Sequence, residues 1–210
     1  MFNNMEEIKY MEKPDWVSWD AIADCLRDAH SINKKRGFEM PGLDMTPEKL
    51  ERKVGNGHCL IAFDGEKVIG TTTLQYYKIK KNIWLRYWTK GATFLYSGLE
   101  GIRREYQGSD VYLELQKLRK KVIDESGVEI VGFNTAEHNK VVLKTAKKGG
   151  GKYVLFSPSF KGAPYYSIYV LRWLHGCPYP DWYINFMFKL SKFVVKTLWK
   201  PGWKFRFWFN

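Results

Sequence analysis

Apolar residues recur along this chain with two different periods, and the change of period marks the elements. In WVSWDAIADCLRDAH (residues 16–30), Ile22, Leu26 and Ala29 fall at helical spacing and predict a first helix. TPEKLERKV offers Thr46 as N-cap and Pro47 at the first helical position, which predicts a short second helix. HCLIAF and KVIGTTTLQYY flank Asp64-Gly65, a turn pair between two β-rich runs, so a hairpin is expected. A lysine-rich turn, KIKKN, leads to IWLRYWT, which is given no element. ATFLYSGLEGIRRE reads as a further strand. Over residues 110–126, Val111, Leu115, Leu118 and Val122 stand at i, i+4, i+7 and i+11, one apolar helix face, and Gly127 ends it. VEIVGF is then a short buried strand, NKVVLKTAKK a helix stopped by Gly149-Gly150-Gly151, and KYVLFS and YYSIYVLRWL two last strands. The strand–helix–strand unit at 94–133 requires a parallel crossover, while the hairpin implies antiparallel pairs. A mixed α/β sheet with helices on both faces is the expected packing.

The chain has 210 residues, which suits one domain with an appendage, divided here as 1–175 and 176–210. Two bulk numbers change the picture: the net charge is +12, and aromatic residues reach 17%, with 9 Trp. Such a charge suggests an acidic partner without choosing among phosphates, an anionic membrane, nucleic acid or an acidic carrier protein. The three cysteines, Cys25, Cys59 and Cys177, are widely spaced and odd in number, so reduced thiols in a cytoplasmic protein are expected. The polar, acidic start MFNNMEEIKY does not read as a signal peptide, and there is no run of 18 or more apolar residues. Four scattered histidines do not make a zinc site, so no metal is expected. Basic and aromatic residues mix, but without a nucleic-acid-binding motif, and nucleic acid is set aside.

The stretch REYQGSDVYLEL (residues 104–115) reads as the end of a strand, a turn at Gly108 and the first turn of a helix, a layout that can hold phosphate on free N–H groups. It also reads as a plain capped helix, with Ser109 as N-cap and Asp110 complementing the helix dipole. Asp110 would have to point away from a phosphate path, and the bulk of Tyr112 restricts close approach.

In element order, hairpin, IRREYQGSDVYLEL and VGFNTAEHNKVVLKTAKKGG, residues 16–172 resemble the GCN5-related N-acetyltransferase (GNAT) superfamily. The resemblance implies a mostly antiparallel mixed sheet with a central strand–helix–strand crossover, to which this chain adds a C-terminal amphipathic helix. It implies acyl transfer from acetyl- or longer acyl-coenzyme A to a small-molecule amine by direct attack, without a covalent enzyme intermediate. Matched to the family's pyrophosphate turn, Gln107 takes the position of the Arg or Gln and Gly108 that of the first Gly. Asp110 stands where a second Gly is usual and Tyr112 where a small residue is usual. The coenzyme would be held by Ile102, Arg103, Arg104, Gln107, Gly108, Ser109, Asp110, Val111 and Tyr112, with Asn139 matching a family Asn. The family's split between its fourth and fifth strands would place Leu99 to Arg103 and Val131 to Asn134 at the site.

Acyl transfer to an amine needs a polarised carbonyl, a base for the amine and a proton for the leaving thiolate. Glu100 is the candidate base, against the reading of a solvent-facing strand glutamate. Tyr153, Tyr106 and Tyr165 are candidate acids, and Asn134 is placed with the catalytic group. His138 is read more readily as a surface residue at a helix entry.

The tail DWYINFMFKLSKFVVKTLWKPGWKFRFWFN is the most unusual composition in the chain. On a helix over 182–199, Asn185, Lys189, Lys192 and Lys196 form one narrow polar stripe. Three readings compete: a helix packed on the sheet with its lysines outside, a helix in an anionic membrane interface at 182–210, or the lining of an acyl channel or dimer contact. With the altered turn, this tail suggests a longer acyl donor, on coenzyme A or on an acidic acyl carrier protein, in the character of N-acyl amino acid and acyl-homoserine lactone synthases. The alternative is a catalytically degenerate GNAT-fold protein that acts as a membrane-surface or protein-binding module, peripheral on the inner face of the membrane.

Overall fold

The computed structural model describes residues 8–35, 43–79, 82–158 and 166–198. In chain order the elements are β1 (Lys9–Glu12), α1 (Trp19–Lys35), α2 (Pro47–Val54), β2 (His58–Asp64), β3 (Lys67–Lys78), α3 (Ile83–Thr89) and β4 (Thr93–Ile102). A 3₁₀ turn at Arg104–Tyr106 follows, then α4 (Val111–Glu125), β5 (Ile130–Ala136), α5 (Lys140–Lys148), β6 (Lys152–Pro158), β7 (Tyr166–Trp173) and α6 (Asp181–Leu198). The seven strands form a mixed, mostly antiparallel sheet in the order β1-β2-β3-β4-β5-β7-β6. The expected parallel crossover is present, with Leu95 opposite Val131 and Tyr96 opposite Gly132.

Local chemistry explains the boundaries. Thr46 accepts a hydrogen bond from the Lys49 amide and caps α2, and Pro47 opens that helix. The Asp64-Gly65 turn joins β2 to β3, which pair antiparallel. Two elements go beyond the sequence reading. IWLRYWT is a helix: Asn82 caps it through the Leu85 amide at 3.0 Å, and Leu85 and Trp88 turn inward one helical step apart. Its β-favouring composition hides that spacing, and the cap is the signal that reveals it. The four-residue β1 pairs antiparallel with β2; a strand so short leaves little alternation to read.

The chain divides into two compact units, residues 1–75 with 97–127 and residues 76–96 with 128–210. In the first, Ile22, Leu26, Leu50, Ile61 and Leu99 pack one face of the strands against α1 and α2. Leu60, Ile69, Ile102, Val111 and Leu115 pack the other face against α4. Gly70 lets α4 approach: a Cβ there would lie 2.7 Å from Ile102 and 2.9 Å from Leu115. In the second unit, Trp88, Phe94, Ile130, Leu155 and Ile184 form one core cluster, and Leu143, Phe156, Ile168 and Val170 another.

Helix α6 packs on β6 within the second unit. Its buried Ser191 hydroxyl accepts from the Phe156 amide at 3.1 Å and donates to the Phe188 carbonyl. The helix therefore satisfies an amide of the edge strand. The expectation that the lysines stay outside holds for Lys189 and Lys196, which are exposed, while Lys192 is half-buried. Lys192 and Lys196 lie 3.3 and 3.8 Å from the Glu137 carboxylate, with both ammonium groups over the Phe156 ring. As a strand-end carboxylate beside the helix, Glu137 pairs with two of the stripe's cations.

Candidate functional site

Gly108 has φ +91°, a conformation that favours glycine, and a Cβ there would meet nothing within 4 Å. Around it the backbone folds back on itself: the Gln107 amide bonds Arg104 O and the Ser109 amide bonds Tyr106 O. Helix α4 begins at Val111, one residue later than expected, so Asp110 rather than Ser109 is its N-cap residue, and the Asp110 side chain makes no capping hydrogen bond. Ser109 instead donates to Tyr106 O and accepts from the Val111 amide at 3.4 Å. The amides of Gly108, Asp110, Tyr112 and Leu113 have no hydrogen-bond partner among the described residues. An open cavity of about 430 Å³ lies here, lined by Glu100, Ile102, Gln107, Gly108, Ser109 and Tyr112 among others. Asp110 does not line it. That residue belongs to the neighbouring groove along α4, with Glu114 and Lys117.

The turn is fastened to α1. Asp28 accepts from the Arg104 backbone amide at 2.9 Å and from its guanidinium at 3.2 Å. The amide bond first, then the guanidinium, hold the Asp28 carboxyl below its usual range. Gln107 donates to Ile102 O at 3.0 Å and to Ala29 O at 3.4 Å. Arg103 donates to Val68 O at 2.7 Å. Both arginines therefore have engaged side chains, and Gln107 acts as a staple between turn, β4 and α1.

Glu100, on β4, is not a solvent-facing glutamate. One carboxylate oxygen accepts from Gln116 at 3.3 Å, the other from Arg119 at 3.2 Å, and Arg119 also donates to Ser97 at 3.1 Å. Tyr112 is the third α4 side chain at this carboxylate: burial, then the Glu100 charge, push its hydroxyl up to about 12. Tyr112, Gln116 and Arg119 stand at i, i+4 and i+7, one helix face turned to β4. His30 bonds the Glu100 carbonyl at 2.9 Å from α1, and its burial lowers its pKa. Gln116, Arg119 and His30 were not singled out from the sequence; their i, i+4, i+7 spacing with Tyr112 opposite a strand glutamate is the signal that could have found the first two.

The other candidates lie in the second unit. Asn134, on β5, accepts from the Tyr96 hydroxyl, and burial pushes that phenol up to about 12. Tyr153 donates to Leu143 O at 2.7 Å, which binds β6 to α5, and its ring lies 5.8 Å from Phe188. Asn139 caps α5 through the Val142 amide and donates to Thr135. Tyr106 donates to Asp64, in the first unit; that hydrogen bond is the main cause that raises its hydroxyl to about 12. Tyr165 lies outside the described residues. Among those residues no group of His, Cys, Asp and Glu could hold a metal ion.

No protein-family model and no curated protein sequence matches the chain. Solved structures do. A GNAT family acetyltransferase from Elizabethkingia anophelis with acetyl-CoA bound aligns over 80% of this chain and 99% of its own, with TM-score 0.56 at 12% identity. The ribosomal-protein-S18-alanine N-acetyltransferase from Escherichia coli aligns over 80% and 94%, with TM-score 0.59 at 9% identity. The chain has the GNAT fold. An acetyltransferase from Streptococcus agalactiae adds the same result, over 80% and 99%, with TM-score 0.56 at 17% identity. The Gly108 turn follows β4 and opens the crossover helix α4.

Proposed function

We propose that this chain transfers an acyl group from an acyl-coenzyme A thioester to an amine, with the coenzyme pyrophosphate on the amides of Gly108, Tyr112 and Leu113. The observation that carries this reading is the set of open amides at a positive-φ turn on the GNAT fold. Such amides, backed by the dipole of α4, favour an anion. One objection raised by the sequence is met locally, since Asp110 belongs to the adjoining groove, while Tyr112 lines the cavity beside Glu100.

Glu100 is the proposed base. Arg119 and Gln116 fix its carboxylate, which takes the proton the amine loses as nitrogen attacks the thioester carbonyl. The carbon–sulfur bond then breaks, and solvent protonates the departing thiolate. A β4 amide polarises the carbonyl. Asn134 and Tyr153 are left with structural bonds in this scheme.

A second reading is a GNAT fold kept for binding without turnover. It is favoured by the occupation of both Glu100 oxygens. Calorimetric titration with acetyl-CoA, a long-chain acyl-CoA and acyl-loaded carrier protein, followed by thiol-release assays on a panel of amines, separates the two. Thiol release that depends on amine supports the transferase; binding without release supports the second reading; binding of none of the three donors overturns both.

A further inference from the structure

Helix α6 has two faces, and the outer one carries large apolar side chains beside its exposed lysines. Ile184 and Ser191 are buried, and Lys192 and Lys196 turn to Glu137. Trp182 (71% exposed), Phe186 (56%), Leu190, Phe193 (67%) and Leu198 (56%) form an apolar stripe on the outside. At its N-terminal end the helix and the segment before it meet α3: the Tyr87 and Tyr183 hydroxyls are 2.9 Å apart, and Tyr179 donates to Tyr87 O. Ile83 and Tyr87 of α3 are exposed there as well. Contiguous exposed apolar surface of this kind marks an interaction site.

Charge indicates the occupant. The unit that holds α6 has 18 of the 34 lysine and arginine residues but 3 of the 22 acidic ones, a net charge of +15, against −3 for the other unit. The exposed Lys189 sits on the outer face of α6 itself, and the sequence after Leu198, WKPGWKFRFWFN, adds three basic residues and no acidic one. With Asp181, Lys189, Lys192 and Lys196 along its 18 residues, α6 is not long and apolar enough to cross a membrane. We propose that this face of the second unit seats the protein on an anionic lipid bilayer, with the α6 stripe in the interface and the surrounding cations at the lipid head groups. The seat does not depend on coenzyme binding at the Gly108 turn.

Co-sedimentation of the full-length protein with vesicles tests it. Phosphatidylcholine vesicles that contain phosphatidylglycerol should retain the protein, and pure phosphatidylcholine vesicles should retain at least about tenfold less. Phe186→Ser combined with Phe193→Ser should weaken retention by about tenfold or more, since both rings are outside the core. Lys189→Glu, which touches no core residue, should weaken retention on anionic vesicles about threefold or more. Equal retention of wild type and both variants overturns the proposal, as does equal retention on the two vesicle types. A dimer in light scattering that the double variant abolishes, without vesicle binding by the wild type, also overturns it and assigns the stripe to a second copy. Capture of an acidic carrier protein without vesicle binding overturns it in favour of a protein partner.

Discussion

Gly108 holds φ at +91°, so any side chain there is strained even though open space surrounds it. Gly108→Ala should lower stability by about 1 kcal/mol in urea denaturation and distort the amides around it. Glu100 is the proposed base. Glu100→Gln should cut kcat by about 10²–10⁴-fold while leaving acetyl-CoA affinity nearly unchanged, as measured by steady-state kinetics beside calorimetry. A matching loss of affinity would mean that the carboxylate only shapes the turn. His30 supplies a pH dependence with a definite sign. Burial depresses its pKa in the folded protein below the ordinary 6.5, so the unfolded chain takes up the proton first as pH falls. Stability from this group is therefore full above 6.5 and declines through the window below it, until the folded-state pKa is passed. Denaturation of wild type and His30→Gln at a series of pH values should show a shallower acid decline for the variant.

At the scale of elements, Asn139 was matched to a coenzyme-binding position by resemblance, yet its side chain caps α5 and bonds Thr135. Asn139→Ala should cost about 1 kcal/mol of stability by thermal or urea unfolding, with little change in acetyl-CoA affinity. Much of the architecture was legible because its determinants are local. Thr46 with Pro47, Asp64-Gly65, the Val111–Val122 stripe and Gly127 each fix an element from within a few residues. Helix α3 was not legible because tryptophan, isoleucine and tyrosine favour strands in general, whereas the Asn82 cap and the inward Leu85 and Trp88 decide it here. The ion pairing of α6 was not legible for a different reason. Its lysine stripe is visible in the sequence, but the carboxylate that pairs with it, Glu137, is 55 residues from Lys192 along the chain. The same holds at the site: Glu100 was found as a strand glutamate, while Arg119, Gln116 and His30 come to it only through the packing of α4 and α1.

For the whole molecule, the distribution of charge matters more than its total. The unit that contains the Gly108 turn is net negative, so an anionic coenzyme there must be held by directed amides rather than by the excess of +12 carried by the chain. Acetyl-CoA affinity should therefore fall only about threefold or less between low and roughly physiological ionic strength, while any attachment through the basic second unit should fall much more steeply. The central claim is that the open amides at this turn are a coenzyme site. The most direct measurement is calorimetric titration of acetyl-CoA into the full-length protein and into Gly108→Ala. Saturable one-site binding that the substitution weakens by about tenfold or more is the predicted result. Absence of binding to the wild type, or equal affinity for the two proteins, would contradict it.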